Sequence, residues 1–415
     1  MGREPGQGRQ TDVTQRWRIL SVSTVFPRPA EPSFGIFVAR RLEALSRRVA
    51  VQAAAPVPWV EGSGWHVRLP ARGVPRREQR GELVVHHPRW LYPPGAGALH
   101  AWCLAASLAP FLGRLRAEFD FDLIDAHFGY PEGAAALRLA RRFARPFAVT
   151  LRGNEPAHAA SPAKRRQMAE ALQRASAVIG VSRALRDFAI SLGAPPARCA
   201  VIGNGVDTSV FYPRPRQETR ARLGMQEGRI HLLSAGYLIP RKGHHRLAAL
   251  LPALHAAGVP ADLWIVGGPG REGDARPELD RIIAEHGLER CVHRVGPAAP
   301  DVLAAYMSAC DLFCLASSRE GWPNVVHEAM ACGAPVVATR VGAVEDLVPG
   351  PEFGRIAPPD EPEALLAALI EASRARFDRE RVARHAASRS WERVAQETAD
   401  LFESILESSV SRSPE

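Results

Sequence analysis

Between residues 310 and 345 the chain reads CDLFCLASSREGWPNVVHEAMACGAPVVATRVGAVE, and no other stretch restricts the fold as much. The unbroken apolar run from Leu312 to Ala316 has the composition of a strand buried on both faces, which belongs in a parallel sheet. Pro323 suits the first position of a helix and Gly333 its stop. A second apolar strand, Pro335 to Ala338, follows at once. Two buried strands joined by a helix make one βαβ unit. The same alternation of apolar run and amphipathic segment recurs along the chain from Arg18 onward. It predicts an α/β protein with two parallel, doubly wound sheets.

Two carboxylates flank the turn in this unit. Glu320 lies in the loop before the helix, and Glu328 lies within it, roughly 8 Å along the axis beyond Pro323 at 1.5 Å per residue. Between them Gly321, Trp322, Pro323 and Asn324 bring backbone N–H groups to the positive end of the helix dipole. That end suits a phosphate or diphosphate. Glu328 can then accept hydrogen bonds from vicinal hydroxyls on one side of the phosphates, and Glu320 from hydroxyls on the other. A surface helix with one solvated Glu and one loop Glu fits the same spacing, so spacing alone leaves both readings open.

The wording of the stretch favours the first. REGWPNVVHEAMACGAPVVAT resembles the signature of retaining glycosyltransferases of family 4, E-x7-E followed by A-x-G-x-P-V-V-A. The resemblance implies the GT-B architecture, α/β with two Rossmann-like domains facing across a cleft. It also implies retaining, metal-independent transfer of a hexosyl-type group from a nucleotide-diphosphate sugar to an acceptor hydroxyl. On this reading Glu328 binds the ribose, Glu320 contacts the donor sugar, and the backbone between them faces the diphosphate.

At 415 residues the chain suffices for two α/β domains, each with its own core. The stretch PRPRQETRAR marks a boundary, giving a polar tail over 1–17, a first domain over 18–210 completed by a terminal helix at 389–408, and a donor domain over 211–388. The tail lacks the apolar core of a signal peptide, and no run of eighteen apolar residues predicts a spanning helix. Cys310 and Cys314 have no second Cys/His pair near them in sequence, so the six cysteines read as reduced thiols of a cytoplasmic protein. No paired acids in these segments suggest a metal, and no acid follows the Gly-rich turn at 267–270 at the spacing of a dinucleotide cofactor. No cofactor is expected.

The net charge of +9 comes almost wholly from Arg, because Lys164 and Lys242 are the only lysines. No Arg-rich block interleaved with aromatics suggests nucleic acid. Anionic sugar nucleotides and anionic lipid remain as partners for a basic surface. Lys242 sits beside a strand-end glycine, Gly236, and before a helix, where a compact cation can neutralise a departing diphosphate. Family members usually read G-R-L-x-x-x-K-G here, whereas this chain carries Tyr237 in place of the Arg. Arg241 and Arg319 are the candidate replacements, and a solvated Arg241 is the plain alternative.

Earlier in the chain, a strand over Arg18 to Val25 leads to a loop in which Gly35 either allows close approach to a ligand or serves an ordinary turn. A helix from Val38 to Ser46 follows. Family members often carry a similar P-S-x-G-x-F/V segment near donor phosphates and acceptor. Residues 55–97, with Trp59, Trp65 and Trp90, show little regular pattern. Ala98 to Arg116 reads as an apolar helix interrupted by Pro110. It is either a contact with a membrane surface or lipid acceptor, or a buried helix under a variable loop.

His127 and the loop Arg152 to Glu155 follow two strand ends, which makes His127, Arg152 and Asn154 candidates for contact with the sugar. DAHFGYPEG and VTLRGNE resemble a subgroup of teichuronic-acid and capsule glycosyltransferases. The wider family often has a sugar-contacting His where this chain has Arg152. Ser182 is a predicted helix cap. Asn204, Gly205 and Asp207 match the family's interdomain stretch N-G-V-D-x-x-x-F. The implied partners are a nucleotide-sugar donor and a glycan or glycolipid acceptor, with peripheral contact at an anionic membrane surface. A sugar-nucleotide epimerase and a non-catalytic sugar-nucleotide-binding relative are the competing readings.

Overall fold

The computed structural model describes residues 17–63, 66–93, 95–270 and 272–410. The expected tail and Trp65 fall outside them, apart from Trp17. By packing, the chain forms two compact units.

The first unit holds the described residues up to His127, with Pro131–Ala148 and the chain from Ala395. Its strands are β1 (Arg18–Val22), β2 (Ala50–Ala54), β3 (Arg77–Arg80), β4 (Leu83–His86) and β5 (Leu123–His127). β1 pairs in parallel with β2 and with β5, and β2 pairs in parallel with β4. β3 closes the edge as the antiparallel arm of a hairpin turning at Gly81, whose φ is 58°. Sequence pattern misses β3 because REQR has no apolar residue, and its order comes from the ladder with β4. Val57–Pro58 and Arg89–Trp90 form a further short parallel pair. Helix α1 (Ile36–Ser46) starts from Gly35, and α2 (His100–Leu115) continues through Pro110 instead of breaking there. Proline lacks an N–H, so the helix forgoes one bond at that point. α3 (Ala134–Phe143) completes the unit's central helices. The C-terminal helix Trp391–Val410 contributes its later residues here, where buried Arg41 donates to Thr398 Oγ1 at 3.0 Å.

The second unit takes Phe128–Tyr130 and Val149–Val394. Strands β6 (Phe147–Leu151), β7 (Ala177–Gly180) and β8 (Cys199–Val201) lie side by side in the order 8-7-6. Helix α4 (Arg183–Ser191) follows β7, and Ser182 caps it by accepting the Leu185 N–H at 3.3 Å. The remaining strands are β9 (Ile230–Ala235), β10 (Ala261–Val266), β11 (Val292–Gly296), β12 (Leu312–Leu315), β13 (Val336–Thr339) and β14 (Gly354–Ala357). They form one wholly parallel sheet in the order 11-10-9-12-13-14. Leu232, Leu263, Ile265 and Leu312 of this sheet pack on Leu247, Leu251, Leu279 and Leu369 in its core. The helix Arg216–Leu223 from the basic stretch anchors to the sheet through Arg216 and Arg220, which both donate to Asp311 just before β12.

The strand order reverses between β9 and β12. In open parallel sheets ligands bind beyond the carboxyl ends of the strands at such a switch point. The loops after β9 and β12 contain Lys242 and Glu320 respectively.

The cysteines are free thiols; burial raises Cys310 and Cys332 to about 12, so both stay protonated and inert. Removing the cap in Ser182→Ala lowers stability by roughly 0.5–2 kcal/mol. Urea denaturation checks this through a lower midpoint with an unchanged slope, and an unchanged midpoint removes the cap from the account.

Candidate active site

Two loops meet at the switch point. After β9, Gly236 adopts φ 142° and its N–H bonds to the Val266 carbonyl at 2.9 Å. The chain then makes a tight turn over Pro240–Lys242, and Gly243, at φ 72°, opens helix α5 (His244–Ala256). Any Cβ on Gly243 would collide with the Ala316 carbonyl, so the loop after β12 lies in backbone contact with it. The Ser318 N–H donates to the Arg241 carbonyl at 2.9 Å and fixes the register of the two loops.

This contact brings together groups far apart in sequence. Lys242 Nζ donates to Glu320 Oε1 at 2.7 Å, and Ser317 Oγ donates to the same oxygen at 2.7 Å. Arg241 Nη1 lies 3.6 Å from the other carboxylate oxygen. The Glu320 side chain is 8% exposed, so these contacts are little diluted by water. Arg241 also donates to Glu272 at 2.8 and 3.1 Å and to the Arg319 carbonyl at 3.0 Å. The hydrogen bond from Arg241, more than any other influence, holds the Glu272 carboxyl below its usual range. Arg319 is exposed and joins through its backbone, and Tyr237 is half-exposed with its carbonyl facing His244 Nε2 at 3.2 Å.

A second arm comes from helix α6 (Asn324–Ala331). Pro323 stands at its N-cap, so the helix starts one position after the start assigned from sequence, and Gly333 follows its end at φ 79°. No side chain caps the amino end. Asn324 Oδ1 accepts from Asn204 Nδ2 at 2.9 Å, and Asn204 Oδ1 accepts from Arg152 Nη1 at 3.0 Å. Arg152 and Asn204 are both buried. Gly321 admits no side chain because the Arg152 carbonyl occupies the place of its Cβ, and a Cβ on Gly153 would lie 2.7 Å from Gly321 Cα. Glu328 is half-buried on α6.

Sequence reasoning overlooked Glu155. Its fully buried carboxylate accepts N–H bonds from Arg152 at 2.9 Å, Gly153 at 2.6 Å and Gly129 at 3.3 Å, pinning the loop that touches Gly321. An acid two residues after a glycine at a strand end was the available signal. Ser317 and Glu272 were overlooked as well, since neither belongs to a motif.

Other sequence candidates have different surroundings. Trp322 packs against Gly203 and stands edge-on to His327, with ring centroids 5.7 Å apart. With His327, Asp346, Arg389 and Arg393 it lines a cavity of ≈ 170 Å³. Asn154 is exposed, and Asp207 accepts from Ser209 N–H and Oγ in a local turn. His127 and Gly35 belong to the first unit. His127 is fully buried, with Nε2 3.0 Å from Asp125 Oδ2. Burial opposes charge on Asp125, but His127, Ser21 and Arg41 outweigh it and hold the acid at about 2. Gly35 has φ 69°, and a Cβ there would lie 2.5 Å from the Val25 carbonyl oxygen, so the close approach is to its own backbone. Among the described residues no group of three His, Cys, Asp or Glu is placed to hold a metal ion.

Two histidines at the site titrate abnormally. Burial drives His244 to about 4, with the charge of Lys242 acting in the same sense against the Tyr237 carbonyl. Burial likewise drives His327 to about 4 against its bond to the Ala386 carbonyl. The unfolded chain binds these protons near pH 6.5, whereas the folded chain refuses them until about pH 4. Their contribution to stability is therefore complete above pH 6.5 and is lost as pH falls towards 4, on the order of 3 kcal/mol per histidine. Urea titrations across this range should show stability falling with pH, and less steeply in His327→Gln. An equal slope in both proteins excludes His327 as a source.

Comparison with known proteins bears on the family and the fold. Residues 59–210 match the model for Glycosyltransferase Family 4, and residues 229–374 match the model for glycosyl transferases group 1. A D-inositol 3-phosphate glycosyltransferase of Thermomonospora curvata is 33% identical over 228 residues, covering 51% of this chain and 52% of that protein. The chain thus spans about half the length of the curated relatives it matches. Sucrose-phosphate synthase of Thermosynechococcus elongatus superposes with a TM-score of 0.77 at 21% identity, over 95% of this chain and 100% of that one. Anabaena HepE, solved with UDP-glucose, gives a TM-score of 0.65 at 23% identity over 95% and 100% of the two chains. These folds consist of two Rossmann-like parallel-sheet domains, the arrangement read here from the alternating strands and helices. The chain is therefore built from a Glycosyltransferase Family 4 domain followed by a glycosyl transferases group 1 domain, on the GT-B fold.

Proposed function

We propose that this protein is a retaining, metal-independent glycosyltransferase that moves a sugar from a nucleotide-diphosphate donor to an acceptor hydroxyl. The observation that carries the reading is the Lys242–Glu320 pair at the switch point, in the loop that leads to the uncapped amino end of α6. The donor diphosphate lies against that amino end with Lys242 beside it. As the glycosidic bond breaks, negative charge grows on the leaving diphosphate, and Lys242 and the helix dipole stabilise it. Glu320 then exchanges its bond from Lys242 for hydroxyls of the donor sugar, and Glu328 receives the ribose hydroxyls. No metal is required because a fixed cation and oriented N–H groups supply the positive field.

Arg152 acts in this reading as a positioning residue, since its guanidinium holds Asn204 and through it Asn324. His127, buried against Asp125, supports the end of β5. Arg241, clamped by Glu272 and near Glu320, replaces the cation missing at Tyr237. The functional division falls at residues 210 and 211, with residues 389–408 returning to the first domain. The likeness of DAHFGYPEG and VTLRGNE to capsule-type enzymes supports a glycan or glycolipid acceptor at the cytoplasmic face of the membrane. UDP heads the list of nucleotides to test because the Anabaena neighbour was solved with UDP and UDP-glucose.

Calorimetry with UDP should show affinity at least tenfold weaker in Glu328→Ala, and equal affinity refutes the ribose role. Lys242→Ala should lower turnover on the order of 100-fold while changing donor affinity less, as removal of a group that acts in the transition state does. Turnover equal to wild type sinks the proposal.

A further inference from the structure

The loop after β10 runs alongside the loop that carries Lys242. The Leu238 N–H donates to the Gly268 carbonyl at 2.8 Å, and the Ala275 N–H donates to the Leu238 carbonyl at 2.9 Å. Between these two ties the approach is too close for a side chain at Gly270, where a Cβ would lie 2.7 Å from Ile239 Cγ2 and 2.9 Å from Tyr237 Cβ. This places Glu272 opposite Arg241. Arg241 Nε and Nη2 donate side-on to its two carboxylate oxygens, at 2.8 and 3.1 Å. Nη1 donates to the Arg319 carbonyl at 3.0 Å, so every nitrogen of the guanidinium already holds an acceptor.

The two acids at this place are held differently. The Glu320 side chain is 8% exposed and takes bonds from both Lys242 and Ser317. The Glu272 side chain is 50% exposed, and among the described residues Arg241 is its one hydrogen-bond donor. Its carboxylate can therefore leave the guanidinium by rotation of its own side chain, with the backbone in place. The charges matter as well. Arg241, Arg319 and Lys242 all attract Glu272, and Glu320 is the other acid beside them. Three cations and two acids give a balance of +1, which becomes +2 when Glu272 turns out to solvent. Asp274, the next acid along the loop, is occupied by Arg276 at 2.7 Å. A guanidinium fork fits a carboxylate and a phosphate alike, two N–H groups to two oxygens.

We infer that Glu272 is a built-in competitor for the donor diphosphate, filling the Arg241 fork until a phosphate displaces it. The inference rests on the reading proposed above, which puts the diphosphate beside Lys242 with Arg241 as the second cation. The departing nucleoside diphosphate carries more charge than it did in the donor, so fixed cations alone would hold the product fast. Glu272 limits that grip, because its return to Arg241 offsets part of the attraction lost as the product leaves. Apparent affinity falls by the factor with which the fork is already filled. A side-on pair at a half-exposed surface supplies a factor of about five.

The test is calorimetry of the full chain with UDP, GDP, ADP and dTDP, on the wild type and on Glu272→Gln. The substitution keeps the size of the side chain and removes its charge. Glu272→Gln should bind the preferred nucleoside diphosphate about fivefold tighter than the wild type does. Asp274→Asn removes an acid two positions away but leaves the fork filled, and should stay within about twofold of wild type. A gain of less than about twofold in Glu272→Gln, or weaker binding, overturns the inference and leaves the donor site standing. An equal gain in Asp274→Asn overturns it too, because the effect is then one of net charge. If none of the four nucleotides binds either protein, the donor-site reading falls and this inference with it.

Discussion

The candidate site depends on an ion pair that is mostly out of water. Lys242 and Glu320 come from different loops, 78 residues apart, and meet at 2.7 Å. Such a pair is weak evidence of stability, because desolvating both charges offsets much of their attraction. Its effect is positional. Ser317 satisfies a further lone pair on the same oxygen, Arg241 approaches the other oxygen, and Thr339 holds the Ser317 carbonyl at 2.6 Å. A carboxylate surrounded in this way has one available orientation before any ligand arrives. That is what electrostatic preorganisation requires.

The pair forms because two backbones can touch. Gly243 lies against the Ala316 carbonyl, Gly321 against the Arg152 carbonyl, and Gly342 against the Gly321 carbonyl at a distance that admits no Cβ. The Ala343 N–H then bonds to the Gly321 carbonyl at 2.9 Å. Glycine therefore serves here chiefly to remove bulk. With the loops this close, a short side chain such as Asn204 spans from Arg152 to Asn324 and relays the position of one strand end to the start of α6.

Part of this was legible in the residues. Buried strands announce themselves by unbroken apolar runs, and the helix after Glu320 by Pro323 and Gly333. Lys242 stood out because the chain uses Arg nearly everywhere else. The edge strand β3 was illegible because it has no apolar face, and α2 seemed broken at Pro110 because local propensity ignores the packing that carries a helix past a proline. Glu155 was overlooked for a different reason. Its role is to collect three backbone N–H groups, which carry no signature of their own, so only its place two residues after a strand-end glycine marked it.

The sequence by itself determined the alternation of strands and helices, the apolar composition of the sheets, and the acids and the lysine available for chemistry. Those properties are local, since they follow from side-chain type and period along the chain. Tertiary structure decided which of them meet. The reversal of strand order between β9 and β12 placed the loops of Lys242 and Glu320 side by side, and the glycine contacts set their separation. It also left one face of α2 bare, because burial depends on which neighbours arrive and not on hydropathy alone.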